Sequence, residues 1–141
     1  MSRDVMEKAI SEVPNGSREL GNTRQHLLGI AEKIDEDVVG ILVAAPSSGF
    51  DRVALVISQA RIIEVTPGGA VQAWRYADMS SLMVVGGRKK LVGRDHMFLQ
   101  VELSASKGTL NWLLPTAYYE QNMRLGKVAE DACGRAQIDK L

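Results

Sequence analysis

Cysteine, histidine and aromatic residues are scarce in this chain, and neither sign of charge is in excess. The lone cysteine, Cys133, excludes an internal disulfide. With a first segment that lacks a secretory pattern, it predicts a cytoplasmic location. Seventeen basic residues balance 17 acidic ones, so no global field draws the molecule toward nucleic acid or anionic lipid, and any attraction has to be local. Two Trp, three Tyr and two Phe, well spread, supply no row of stacking platforms for single-stranded nucleic acid. Nucleic acid is therefore not an expected partner. Apolar runs such as "VVGILVAAP" fall well short of the ~20 residues that span a bilayer.

The same scarcity bears on catalysis. His26 and His96 are far apart, and with one cysteine they offer no zinc-ligand spacing. His96 follows Asp95, but consecutive residues of a strand point to opposite faces. Ser47, Ser48, Ser80 and Ser81 lack the G-x-S-x-G elbow of a nucleophilic serine. The expectation is a protein that is not an enzyme and holds neither metal nor cofactor.

What is present is the material of one soluble α+β domain: 141 residues, 45% hydrophobic and 24% charged. "RDVMEKAISEV" places Val5, Ala9, Ile10 and Val13 on one helical face. "PNGS" interrupts it. The recurrence of Leu20, Leu27, Ala31 and Ile34 predicts a second helix from about Arg18 to Ile34. These elements form an N-terminal helical arm, residues 1–36, ahead of a domain at 37–141. From Asp37 the period changes to two, predicting strands at Val38–Ala45, Arg52–Ser58, Ile62–Val65, Val71–Arg75, Leu82–Val85, Met97–Leu103 and Thr109–Leu114. Helical spacing returns from Ala117 to about Gln137, with Thr116 as the expected N-cap. Gly126 and Gly134 each weaken that helix by roughly 1 kcal/mol relative to Ala.

Seven short strands followed by one amphipathic helix is the order of a pleckstrin-homology-like domain. "LVISQARIIEV" resembles the hairpin of bacterial members of that family, "AVQAWRYADMSSLMVV" its next passage, and "GTLNWLLPT" with the following helix its close. The resemblance covers about residues 37–137. It departs at Ser58, Gln59 and Ala60, where the family's polar turn differs, and in the length of the arm. It implies a seven-stranded antiparallel sandwich, or partly open barrel, closed by the C-terminal helix, in a protein of bacterial or phage origin.

Four cations, Arg88, Lys89 and Lys90 between glycines and Arg94 just after them, stand in "GGRKKLVGR". This is not a Walker loop: Gly87 to Gly93 is one residue too long, and Arg94-Asp95 stands where Lys-Ser/Thr is required. The plain reading is a solvated hairpin tip, and the sharper one a contact with a partner or an anion. In the resemblance, phosphoinositide contacts come from the first hairpin loop, but "PSSGFDR" has Arg52 as its only cation. The acidic turn Asp35, Glu36, Asp37 reads as a solvated linker or as a complement to a basic loop on another copy. The arm's apolar face, Val5, Ala9, Ile10 and Val13, needs cover from its own sheet or from a partner. The function expected is a protein-binding module, with another protein or a second copy as partner. The alternative is weak attachment to an anionic membrane through residues 88–94.

Overall fold

The computed structural model describes residues 1–47 and 51–141. Strands β1 (Val38–Pro46), β2 (Val53–Ser58), β3 (Arg61–Val65), β4 (Val71–Arg75), β5 (Met79–Leu91), β6 (Arg94–Ala105) and β7 (Gly108–Leu113) run antiparallel in the order β4-β3-β2-β1-β7-β6-β5. Among the described residues β1 meets β7 at Ala45 opposite Leu113 and Pro46 opposite Trp112, with the Ser47 amide donating to Asn111 O just beyond. That short seam is a corner. It folds the array into two layers whose inner faces share one core, with Leu42, Leu55, Ile57 and Ile62 meeting Leu99, Val101, Leu103 and Trp112. Helix α4 (Tyr119–Ile138) closes the open side by inserting Ala129, Ala132 and Cys133 into the same core. The seven-stranded antiparallel sandwich with a closing C-terminal helix and an N-terminal helical segment is the α+β architecture expected from the sequence.

The arm consists of α1 (Arg3–Ser11), α2 (Gly16–Leu20), α3 (Thr23–Ile30) and a 3-10 turn, Ala31–Lys33. The single helix expected over 18–34 is thus broken, and the break lies at Gly21, whose φ of 49° is left-handed backbone that favours glycine. The arm lies on the outer face of the first layer. Met6, Ile10, Val13, Leu20, Leu27, Leu28, Ala31 and Ile34 form a second core with Ile41, Val43, Ala54, Val56, Ile63 and Val65. β2 is therefore buried along its whole length, which explains a run, "VALVI", with no polar alternation. Of the arm residues singled out above, Ile10 and Val13 are buried and Ala9 packs partly against this core. Val5 is exposed, and its expected place is taken by Met6. A bidentate pair from Arg61 to Glu36 at 3.0 and 3.1 Å, with the Ser58 hydroxyl donating to Glu36 at 3.0 Å, pins the end of the arm to β2 and β3.

α4 begins two residues after the expected start. Thr116 lies in a preceding 3-10 turn, Thr116–Tyr118, and makes no capping bond. Asn122 instead donates to the Pro115 carbonyl at 3.1 Å. At the far end Gln137 donates to the carbonyls of Tyr76 (3.1 Å) and Met79 (2.7 Å), latching the helix to the β4–β5 crossover. The Tyr76 hydroxyl donates to Ser58 O at 2.8 Å within the core. Burial, with the nearby Cys133 and Glu36, holds that phenol well above its ordinary range.

Candidate interaction surfaces

The largest departure from the expected strands is at the basic stretch. Residues 86–91 and 94–96, expected as loop, are strand: pairing runs without interruption from Leu82 opposite Leu103 to Leu91 opposite Arg94. Only Val92 and Gly93 turn, with φ of 53° and 77°, the sign that a type I′ hairpin turn requires at both positions. β7 supports β6 no farther than the Leu114 amide, which donates to Leu99 O at 2.8 Å. Beyond that point the hairpin is a two-stranded ribbon. Cross-strand partners share a face, so Arg88 with Met97 and Lys90 with Asp95 lie on one side, and Lys89 with His96 and Leu91 with Arg94 on the other. The four cations are all exposed. They form a collar around the ribbon and do not converge on a pocket. Lys89 Nζ stands 5.8 Å from the centre of the Phe98 ring at the ribbon's base.

A second surface lies at the free edge of β5. Its Val84 amide points away from β6 and donates to a Glu130 carboxylate oxygen at 2.9 Å, while Lys127 Nζ approaches the other oxygen at 3.2 Å. Outward amides alternate along an antiparallel strand, so those of Leu82, Gly86, Arg88 and Lys90 share this edge. α4 can lie close because glycines stand at both contacts. A Cβ on Gly126 would come 2.7 Å from Val84 Cγ2, and one on Gly86 would collide with the Tyr119 hydroxyl. Between the Glu130 contact and the Gln137 latch an open groove of about 610 Å³ remains, bounded by Ser80, Ser81, Gly134, Gln137 and Ile138. Cys133 lies at its floor. The thiol is buried, and that burial pushes its pKa up despite the Gln137 amide beside it. It is a packed side chain and not an activated nucleophile.

The remaining candidates are dispersed. His26 closes over Gly69, whose hypothetical Cβ would lie 2.9 Å from the imidazole, and His96 is on the exposed ribbon. Among the described residues no three His, Cys, Asp or Glu side chains are placed to hold a metal ion. Arg52 pairs with Glu19 of the arm. Ser47 sits beside β7, its amide donating to Asn111 O at 3.1 Å, whereas Ser48, Gly49 and Phe50 lie outside the described residues. In the acidic turn Glu36 is committed to Arg61 and Ser58, and Asp35 and Asp37 are exposed. Sequence reasoning missed Glu130 and the groove, because nothing in "GKVAEDACGRAQI" distinguishes a carboxylate that meets a strand edge from one that meets water.

No family model and no curated protein matches the chain. Among solved structures, the C-terminal domain of an unknown protein from Leishmania infantum aligns at 13% identity over 73% of this chain and 93% of that one, with a TM-score of 0.46. Among the described residues no helix is long and apolar enough to cross a membrane.

Proposed function

We propose that the protein is a non-enzymatic interaction module of pleckstrin-homology-like type. It binds an extended segment of another protein, or of a second copy of itself, along the β5 edge beside α4. The observation that carries this reading is the Val84 amide: it is outward-facing and satisfied by a side chain, Glu130, where a sheet would supply a strand. An incoming strand offers a carbonyl to the same amide and displaces the carboxylate toward Lys127 and solvent, which is how β-strand addition gains affinity. The groove between Ser80–Ser81 and Gly134–Ile138 then receives its side chains. The arm is not the binding element in this reading, since its apolar face is already spent on β1–β3. A cytoplasmic location is part of the same proposal and is supported by the single cysteine.

The test is capture from a bacterial lysate at low and high salt, with Gly134→Arg as control. A Cβ at Gly134 meets nothing within 4 Å, so the variant keeps the fold while an arginine fills the groove. Proteins held through the edge survive high salt and are lost with Gly134→Arg. Identical capture by both proteins would contradict the reading.

A further inference from the structure

The ribbon tip has a composition that folding does not require. Val92 is fully exposed, at 103% of its reference accessibility, and Leu91 beside it at 52%. Val92 also has a φ of 53°. Left-handed backbone is unfavourable for a β-branched side chain, and a two-residue turn of this kind is ordinarily built from Asn-Gly or Asp-Gly. The valine therefore strains its own backbone and packs against nothing among the described residues. A tip built for solubility would be polar.

Charge supplies the second observation. Between Arg88 and Asp95 the ribbon carries Arg88, Lys89, Lys90 and Arg94 against Asp95, four positive charges less one negative, in a chain whose total is zero. The cations stand on both faces just behind the apolar tip. At about 3.4 Å per residue, the five residues from Gly87 to Leu91 carry the tip roughly 15 Å from the three-stranded body. That reach exceeds the roughly 5–10 Å depth at which apolar groups settle at a membrane interface.

We propose that the β5–β6 ribbon docks on an anionic lipid bilayer, Leu91 and Val92 entering the headgroup–acyl boundary while Arg88, Lys89, Lys90 and Arg94 meet lipid phosphates and carboxylates. Charge complementarity favours this occupant, and the apolar tip distinguishes it from duplex nucleic acid, whose backbone calls for a cationic tip. The site is separate from the α4 groove and is tested without any protein partner.

The test is sedimentation of the full chain with vesicles of phosphatidylcholine alone and of phosphatidylcholine with phosphatidylserine, at low and physiological salt. Wild type binds only the serine-containing vesicles. Replacing Lys89 and Lys90 together by Gln weakens binding on the order of 25-fold, each cation near such a surface being worth about fivefold. Val92→Asn, which suits the turn and leaves the fold intact, weakens it by about tenfold through loss of the buried side chain. Replacing chloride by inorganic phosphate at equal ionic strength changes nothing, because the headgroup array and not a single phosphate is recognised. Equal binding to both vesicle types would overturn the proposal. So would no binding at low salt, unaltered binding by both variants, release by inorganic phosphate, or ribbon-dependent binding of duplex DNA in place of vesicles.

Discussion

The Glu130 carboxylate accepts the outward amide of Val84 at 2.9 Å and faces Lys127 Nζ at 3.2 Å, so a side chain of α4 stands where a neighbouring strand would. An edge strand with free amides invites uncontrolled pairing. A carboxylate in that position guards the edge yet yields to a strand. Glu130→Ala should cost about 1 kcal/mol of stability, the net worth of one such bond. It should also accelerate hydrogen exchange at Val84 and promote self-association through β5. Denaturant titration, amide exchange and sedimentation velocity measure the three effects.

The two glycines of α4 should respond with opposite signs. Gly134→Ala meets open space and gains up to about 1 kcal/mol of helix propensity. Gly126→Ala makes the same gain but drives a methyl to 2.7 Å from Val84 Cγ2, and overpacking of that kind costs about 1–3 kcal/mol. Urea midpoints should therefore rise for the first variant and fall for the second.

The arm belongs to the folded unit. Met6, fully buried under β1–β3, should lose about 2–5 kcal/mol as Met6→Ala. Val5→Ala, one residue away and 49% exposed, should stay within about 0.5 kcal/mol of wild type. Equal effects in equilibrium unfolding would contradict the docking of α1.

Glu36 links stability to pH. Burial raises its pKa, but the Arg61 guanidinium, its own backbone amide and the Ser58 hydroxyl outweigh burial and hold the carboxyl below its ordinary 4.5. A depressed folded-state value contributes stability that is present above the unfolded pKa and lost as pH falls through the folded one. Glu36→Gln should therefore be less stable than wild type at neutral pH, and the gap should narrow as the solution is acidified below 4.5. Urea unfolding of both proteins across that range measures the gap.

The seven strands, their order in the chain and the closing helix were legible because alternation in "MFLQVEL" and turn residues between strands are local signals. The destination of the arm was encoded less directly. It lies in the contrast between "MFLQVEL", with one face toward water, and "VALVI", apolar at every position because it is covered on both sides. The choice of Val5 over Met6 shows the limit of a helical wheel: a short helix offers two neighbouring stripes, and the sheet beneath selects 6, 10 and 13. The basic stretch reads as a loop because its glycines and charges are loop residues. Ladder hydrogen bonds to residues 94–98 make it strand, and such pairing is non-local. Glu130 at the β5 edge depends on how α4 crosses the strand, which no sequence spacing specifies.

Amide hydrogen exchange along β5, with and without a protein captured on the high-salt column, tests the central claim most directly. Strand addition predicts that Val84 and Gly86 gain protection on binding while the arm-covered strands β1–β3 do not change. Protection confined to the arm or to the ribbon tip, with Val84 exchanging as in the free protein, would contradict it.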